Sequence, residues 1–257
     1  MSNTEHRSTS RVLSILLELS NADDGMTLAE LSTKLEAPKS SLFAIVHTMA
    51  DMHFIDYNSV SQKYSIGLNC FLTGSSYLKA HSSLDYIKTE MRKIVNKCSE
   101  ICQFGIFENG YVLYLLKVDS PEPVRLYSDI GKRLPAYCTS LGKALLSNST
   151  LEDLKKLYPE PLHNFTSNTV KNIDLLYTQL QDVKASSIAI EKGEIHPDIS
   201  CVATPIIKNN KIIAALSVSI PSFRFSDEKQ NEISKILLES KFNLEKLLEH
   251  TDFITDF

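Results

Sequence analysis

Residues 27–49 read TLAELSTKLEAPKSSLFAIVHTM, and this stretch decides the architecture of the first third of the chain. Thr27-Leu28-Ala29-Glu30 is a capping-box pattern, in which a hydroxyl and a carboxylate each satisfy a backbone N–H left unpaired at a helix start. Leu28, Leu31 and Leu35 then fall at helical spacing and make one apolar stripe. Glu36-Ala37 supplies a turn, and Pro38 suits the first position of a second helix, where its missing N–H costs nothing. Leu42, Ile45, Val46 and Met49 repeat at helical spacing and face inward. Lys39, Ser40, Ser41, Phe43, Ala44, His47 and Thr48 are left on the outer face. One lysine and small hydroxyls at a helix N-terminus suit phosphate and base-edge contacts. Taken alone, the pair fits an ordinary helical hairpin inside a larger domain equally well.

The flanks decide between the two. Downstream, residues 54–57 and 63–66 flank a polar loop at 58–62, which reads as a β-hairpin. Upstream, residues 11–19 place Val12, Ile15, Leu16 and Leu19 on one face and supply a third helix. A helix pair, a closing helix and a small hairpin make a winged helix-turn-helix over about residues 8–66. Its nucleic-acid contacts are expected from Arg11, Lys39, Ser40, Ser41, Phe43, His47 and Lys63, with Arg7 and the wing hydroxyls of Ser59 and Ser61 beside them. The module is not basic: residues 1–80 carry six Lys or Arg against eight Asp or Glu, a net of −2. Counterion release needs positive charge only where the phosphates lie. Modest affinity per head follows, recovered when two heads engage half-sites one or more turns apart, roughly 34 Å each.

Over 257 residues, 43% hydrophobic composition supports two ordinary domains, and the net charge of −4 is small for this size. No apolar run approaches the ~20 residues of a membrane span, and MSNTEHRSTS has no signal-peptide core, so a cytoplasmic location is expected. The five cysteines are odd in number and form no C-x-x-C pair, which argues against a disulfide framework or a zinc site. Cys98 and Cys102, read as one helical turn apart, lack a histidine pair, and no metal or other cofactor is expected.

Residues 67–82 form a linker, with Leu68, Phe71, Leu72 and Leu78 on one helical side and Gly74 weakening its middle. That apolar face suits a second subunit. A helix over 84–98 repeats Ile87, Met91, Ile94, Val95 and Cys98. From residue 101 the period changes to that of strands: 101–107 and 111–118 surround Asn109-Gly110, a strong hairpin signal. A third strand is expected at 124–128. Helices follow near 140–147, 150–158 and 172–183, then strands at 188–190, 201–207 and 211–220, and a long helix over 226–249. This order predicts an α+β, sensor-like domain over 83–257.

Three blocks carry a resemblance. CVATPIIKNNKIIAALSVSIP at 201–221 resembles the signature of the IclR family of bacterial transcriptional regulators. DIGKRLPAYCTSLGKALLS at 129–147 resembles that family's glycine, Leu-Pro and Gly-Lys segment. RVLSILLEL at 11–19 with LAELSTKLEAPKSSLFAIVHTMADMHFI at 28–55 is similar to its DNA-binding head. Their order and spacing match over about residues 8–249. The resemblance implies a mostly α N-terminal winged helix-turn-helix, a linker helix and an α+β GAF-like effector domain. It also implies binding to double-stranded operator DNA as a homodimer or dimer of dimers, tuned by a small carboxylate effector.

The resemblance further implies an effector pocket. Cys201 matches the family's pocket cysteine, Ser217 and Ser219 match two inward hydroxyls, and Glu191 stands where Asp is common. A spacing of two puts both serines on one sheet face. A carboxylate at 191 repels an acid unless one of the two is protonated or Glu191 accepts from a ligand hydroxyl, and the hydroxyl is the reading favoured here. Leu126, Leu134 and Ile199 match apolar walls, while Ser140 and Leu141 match the segment whose backbone N–H groups approach the ligand. The bulk at those last two positions points to a smaller or differently shaped effector. Ala44 stands where many relatives have Arg, which removes one DNA contact. Two rival classes remain: a thiol enzyme built on Cys201 with His196, for which no orienting third group or catalytic motif is present, and a sensor acting through protein partners. A protein contact would not need the exposed Lys39-Ser40-Ser41.

Overall fold

The computed structural model describes residues 6–80, 83–122 and 129–249, and these form two compact units divided between Ala80 and His81. The first unit runs α1 (Arg7–Ser20), β1 (Met26–Thr27), α2 (Leu28–Lys34), α3 (Lys39–Asp51), β2 (Ile55–Asn58), β3 (Lys63–Ile66) and α4 (Leu68–Ala80). The Thr27–Glu30 capping box forms as expected: the Thr27 amide donates to the Glu30 carboxylate at 2.7 Å and the Glu30 amide to the Thr27 hydroxyl at 3.2 Å. Ile15, Leu19, Leu31, Leu42, Val46, Met49 and Ile55 build one buried core, with Val12, Leu16, Leu28, Leu35 and Ile45 packed on its rim. Glu36 turns the chain between α2 and α3 with φ 47°, and the Ala37 amide donates to the Ser32 carbonyl.

Pro38 is shifted by one position from the sequence reading. It is the N-cap of α3, with ψ 137°, and the helix proper starts at Lys39. β1 was not legible in the sequence, because its two residues become a strand only by pairing with Tyr64 and Lys63 of the wing. α4 is anchored at its start, where the Asn69 side-chain amide donates to the Met52 carbonyl at 2.7 Å and the Cys70 thiol to the Phe54 carbonyl. Leu68, Phe71 and Leu72 on it are exposed. Leu78 lies outside the residues whose side chains are described.

The second unit contains α5 (Ser83–Cys98), β4 (Ile101–Glu108), β5 (Tyr111–Val118), β6 (Arg133–Pro135), α6 (Ser140–Leu146), α7 (Leu151–Leu157), α8 (Ile173–Ser186), β7 (Ala189–Lys192), β8 (Ile199–Lys208), β9 (Lys211–Pro221) and α9 (Asp227–Leu248). The six strands form one antiparallel sheet in the order β6-β5-β4-β9-β8-β7. One face carries Val202, Leu216, Val218 and Ile220 into a core with α5 and α9. The opposite face carries Ala203, Ala215 and Tyr114 into a second core with α6 and α8. The strand expected at 124–128 lies outside the described residues, and so does Leu126. Cys98 and Cys102 are not a helical turn apart: Cys98 ends α5, the chain turns at Ser99 with φ 60°, and Cys102 lies in β4. No cluster of three or more His, Cys, Asp or Glu with metal-site geometry occurs among the described residues.

Candidate functional site

The register of the sheet assembles a polar patch on the face that meets α6. Glu191 pairs with Cys201, Cys201 with Ser219, Ala203 with Ser217, and Ser217 with Gln103. Because side chains alternate along each strand, these residues share one face in two adjacent rungs. A cavity of about 390 Å³ opens against this patch, within the ordinary range for small-ligand sites. Seven residues expected in the pocket line it: Leu134, Ser140, Glu191, Ile199, Cys201, Ser217 and Ser219. Leu141 does not. Its side chain is buried in the core beneath α6, so its bulk takes nothing from the cavity.

Gln103, Tyr114, Lys132, Thr139, Ile195 and His196 complete the lining; none was expected in an effector pocket, and His196 was named only beside Cys201 in the enzyme reading. Gln103 had a visible signal, as the one polar side chain inside the apolar run ICQFGIF. Its amide oxygen accepts from Ser217 at 3.3 Å and from Ser219 at 3.1 Å, and Ser219 lies 3.2 Å from the Cys201 sulfur. On the facing wall, Thr139 caps α6 through the Gly142 amide at 3.1 Å. The Lys143 amide is taken by the Thr139 carbonyl, which leaves the Ser140 and Leu141 amides without an intrahelical acceptor. Gly142 allows this wall to form, since a Cβ there would stand 2.1 Å from the Ala136 carbonyl oxygen.

The electrostatics of the cavity centre on Glu191. Burial pushes its carboxyl up to about 7, opposed by the Glu194 amide that donates to it and by Lys143, and assisted by the Glu194 carboxylate. Burial, with the Glu191 charge beside it, also raises the Cys201 thiol well above its ordinary range. A thiol so held is a poor nucleophile, because reactivity belongs to the thiolate. His196 is exposed at the mouth, its Nδ1 3.9 Å from Asp198.

In the head, Lys39, Ser40, Phe43 and His47 are exposed on α3, and the Phe43 and His47 rings meet at a tilt, 4.2 Å between centroids. Ser41 is half-buried, its hydroxyl donating back to the Pro38 carbonyl at 2.7 Å. Arg11 and Arg7 line a shallow depression beside Leu35, at the turn into α3. Lys63 sits opposite Thr27, whose amide and hydroxyl donate to the Glu30 carboxylate and hold that carboxyl below its ordinary range, with the Lys63 charge adding a little. The wing turn is held by Asn58, whose side-chain oxygen accepts from the Val60 and Ser61 amides.

Comparison with known proteins agrees with this architecture. The family described as bacterial transcriptional regulator IclR C-terminal matches residues 75–244, and the IclR helix-turn-helix domain matches residues 8–59. The chain belongs to the IclR family. Among its relatives is the HTH-type transcriptional regulator KdgR of Dickeya chrysanthemi, 27% identical over 253 residues, covering 96% of this chain and 82% of KdgR. An IclR transcriptional regulator from Alicyclobacillus acidocaldarius shares the fold, with a TM-score of 0.85 and 21% identity over 94% of this chain and 98% of that one. So does an IclR homolog from Microbacterium hydrocarbonoxydans, solved in complex with 4-hydroxybenzoate, at a TM-score of 0.80 and 22% identity over 95% of this chain and 100% of that one. As an IclR-family member the chain is a transcriptional regulator, with a helix-turn-helix DNA-binding domain followed by an α+β effector-binding domain.

Proposed function

We propose that this regulator binds double-stranded operator DNA through α3 and the wing, and that a small organic acid held in the C-terminal cavity tunes its operator affinity. The observation that carries the reading is the convergence of Ser140, Glu191, Cys201, Ser217, Ser219 and Gln103 on one apolar-walled space. An acid there meets the Ser140 hydroxyl, the open amides of α6 and Lys132 at one side, and turns a hydroxyl or another neutral donor toward Glu191. The 4-hydroxybenzoate complex of the Microbacterium homolog supports the same ligand class. Residues 1–66 serve as the head, 67–82 as the linker and 83–257 as the effector and oligomerisation domain. The exposed Leu68, Phe71 and Leu72 of α4 favour a homodimer or dimer of dimers. The half-buried Cys201 thiol, which desolvation and the neighbouring Glu191 charge hold protonated, supports a role without catalysis. A DNA partner, with no described helix long and apolar enough to cross a membrane, supports action in the cytoplasm.

The mechanism is coupling between two sites. An acid changes operator affinity only by as much as it discriminates between two arrangements of the protein, typically ~1 to 3 kcal/mol. A thermal-shift screen of small carboxylates, run beside operator anisotropy, tests the reading. An acid that raises the melting temperature is expected to change operator affinity as well. An absence of binders across sugar acids, aromatic acids and short keto acids would reject the effector class.

A further inference from the structure

The effector cavity has two facing walls, one from the start of α6 with Thr139 and Ser140, the other from the end of β7 and the loop after it with Glu191, Ile195 and His196. A buried ion pair joins them: Lys143 of α6, 1% exposed, and Glu194 of the loop, 5% exposed. Such a pair is costly to desolvate, and an apolar pair of similar volume often stabilises a fold as well or better. Every other polar group of Glu194 is nonetheless met. Its second carboxylate oxygen accepts from the Val170 amide at 3.1 Å, and its carbonyl accepts from the Thr169 hydroxyl at 2.6 Å. Its own N–H is donated to the Glu191 carboxylate. One residue therefore grips Lys143 with its side chain and Glu191 with its backbone.

We propose that Lys143 and Glu194 are a positioning pair for the effector cavity, holding the Glu191 carboxyl against the wall built by α6. This rests on the effector reading of the cavity. The groups facing Glu191 come from several elements. Glu194 and Lys143 act on it with opposite sign, the carboxylate favouring its proton and the ammonium opposing it. Cys201 of β8, Cys138 before α6 and Tyr114 of β5 keep their protons because burial raises all three. Lys132 and His196 line the same cavity.

The opposite signs give a test that a merely structural pair does not pass. Full-length protein labelled with ¹³C at the glutamate carboxyls is titrated from about pH 5 to 9, with Glu191 assigned by its loss in Glu191→Gln. Lys143→Met leaves Glu194 uncompensated and is expected to move the Glu191 midpoint up by about one pH unit or more. Glu194→Gln leaves Lys143 uncompensated and is expected to move it down by a similar amount. Midpoints that stay put, or move the same way in both variants, overturn the proposal. If either variant fails to fold, the wild type decides. Its Glu194 carboxyl resonance is expected to inflect at the Glu191 midpoint, and a flat trace there overturns the proposal too. A thermal-shift panel of pyruvate, gluconate and 4-hydroxybenzoate on the wild type reads the effector assignment separately. No binder in the panel, with both midpoint shifts present, rejects that assignment and leaves the pair's hold on Glu191 standing.

Discussion

Replacing Glu191 by glutamine is expected to change the pH dependence of stability in a direction fixed by the cavity. An ordinary glutamate ionises near 4.5, whereas Glu191 in place does so at about 7, because burial penalises its charged form. Below about 4.5 the carboxyl is protonated in both folded and unfolded chains and contributes nothing to the pH dependence. As pH rises toward 7 the unfolded chain releases this proton and the folded one keeps it, so stability falls. Above about 7 both are charged and the cost is fully present. A gap of about 2.5 pH units, at ~1.4 kcal/mol each, amounts to about 3 kcal/mol. The glutamine side chain keeps the shape without the titration. Urea unfolding of wild type and variant at pH 5, 6, 7 and 8, followed by far-UV circular dichroism, is expected to show the variant gaining up to ~3 kcal/mol on the wild type across that range. Parallel profiles would refute a buried, proton-holding Glu191.

Other substitutions test other parts. Lys39→Ala should weaken operator binding and reduce the slope of log K against log salt by roughly one, read by anisotropy at several salt concentrations; an unchanged slope would place α3 away from the phosphates. Leu42→Ala empties a fully buried position in the head core and should cost ~2 to 5 kcal/mol, abolishing DNA binding in a warmed sample while acid binding persists. Gly142→Ala drives a methyl against the Ala136 backbone and should lower the melting temperature of the effector domain by several degrees, with ~1 to 3 kcal/mol lost. An unaltered melt would mean that α6 is free to move.

How much of this was written in the sequence follows from the range of each signal. The capping box at Thr27, the stripe on α3 and the turn at Asn109-Gly110 depend on neighbours within a few residues, so their elements could be read directly. β1 could not, because Met26 and Thr27 are strand only opposite Tyr64 and Lys63. The strand register is non-local in the same way. Ser217 and Ser219 were legible as a same-face pair, but that Gln103 would lie beneath both depends on β4 pairing with β9 across more than a hundred residues. Pocket lining follows side-chain direction as well as position. Leu141 shares a helix turn with Ser140, yet one turns to the core and the other to the cavity. The Lys143–Glu194 pair gave no local sign, since its partners are 51 residues apart.

The central claim is that occupancy of the C-terminal cavity changes the hold of the head on DNA. Anisotropy titration of a promoter fragment with and without a cavity-binding acid, on wild type and on the Ser219→Ala/Glu191→Gln double variant, tests it most directly. Adding the acid is expected to change wild-type affinity roughly 5- to 150-fold, while the double variant keeps the same acid-free affinity and shows no acid response. An equal response in both proteins, or no preference for any promoter fragment, would contradict it.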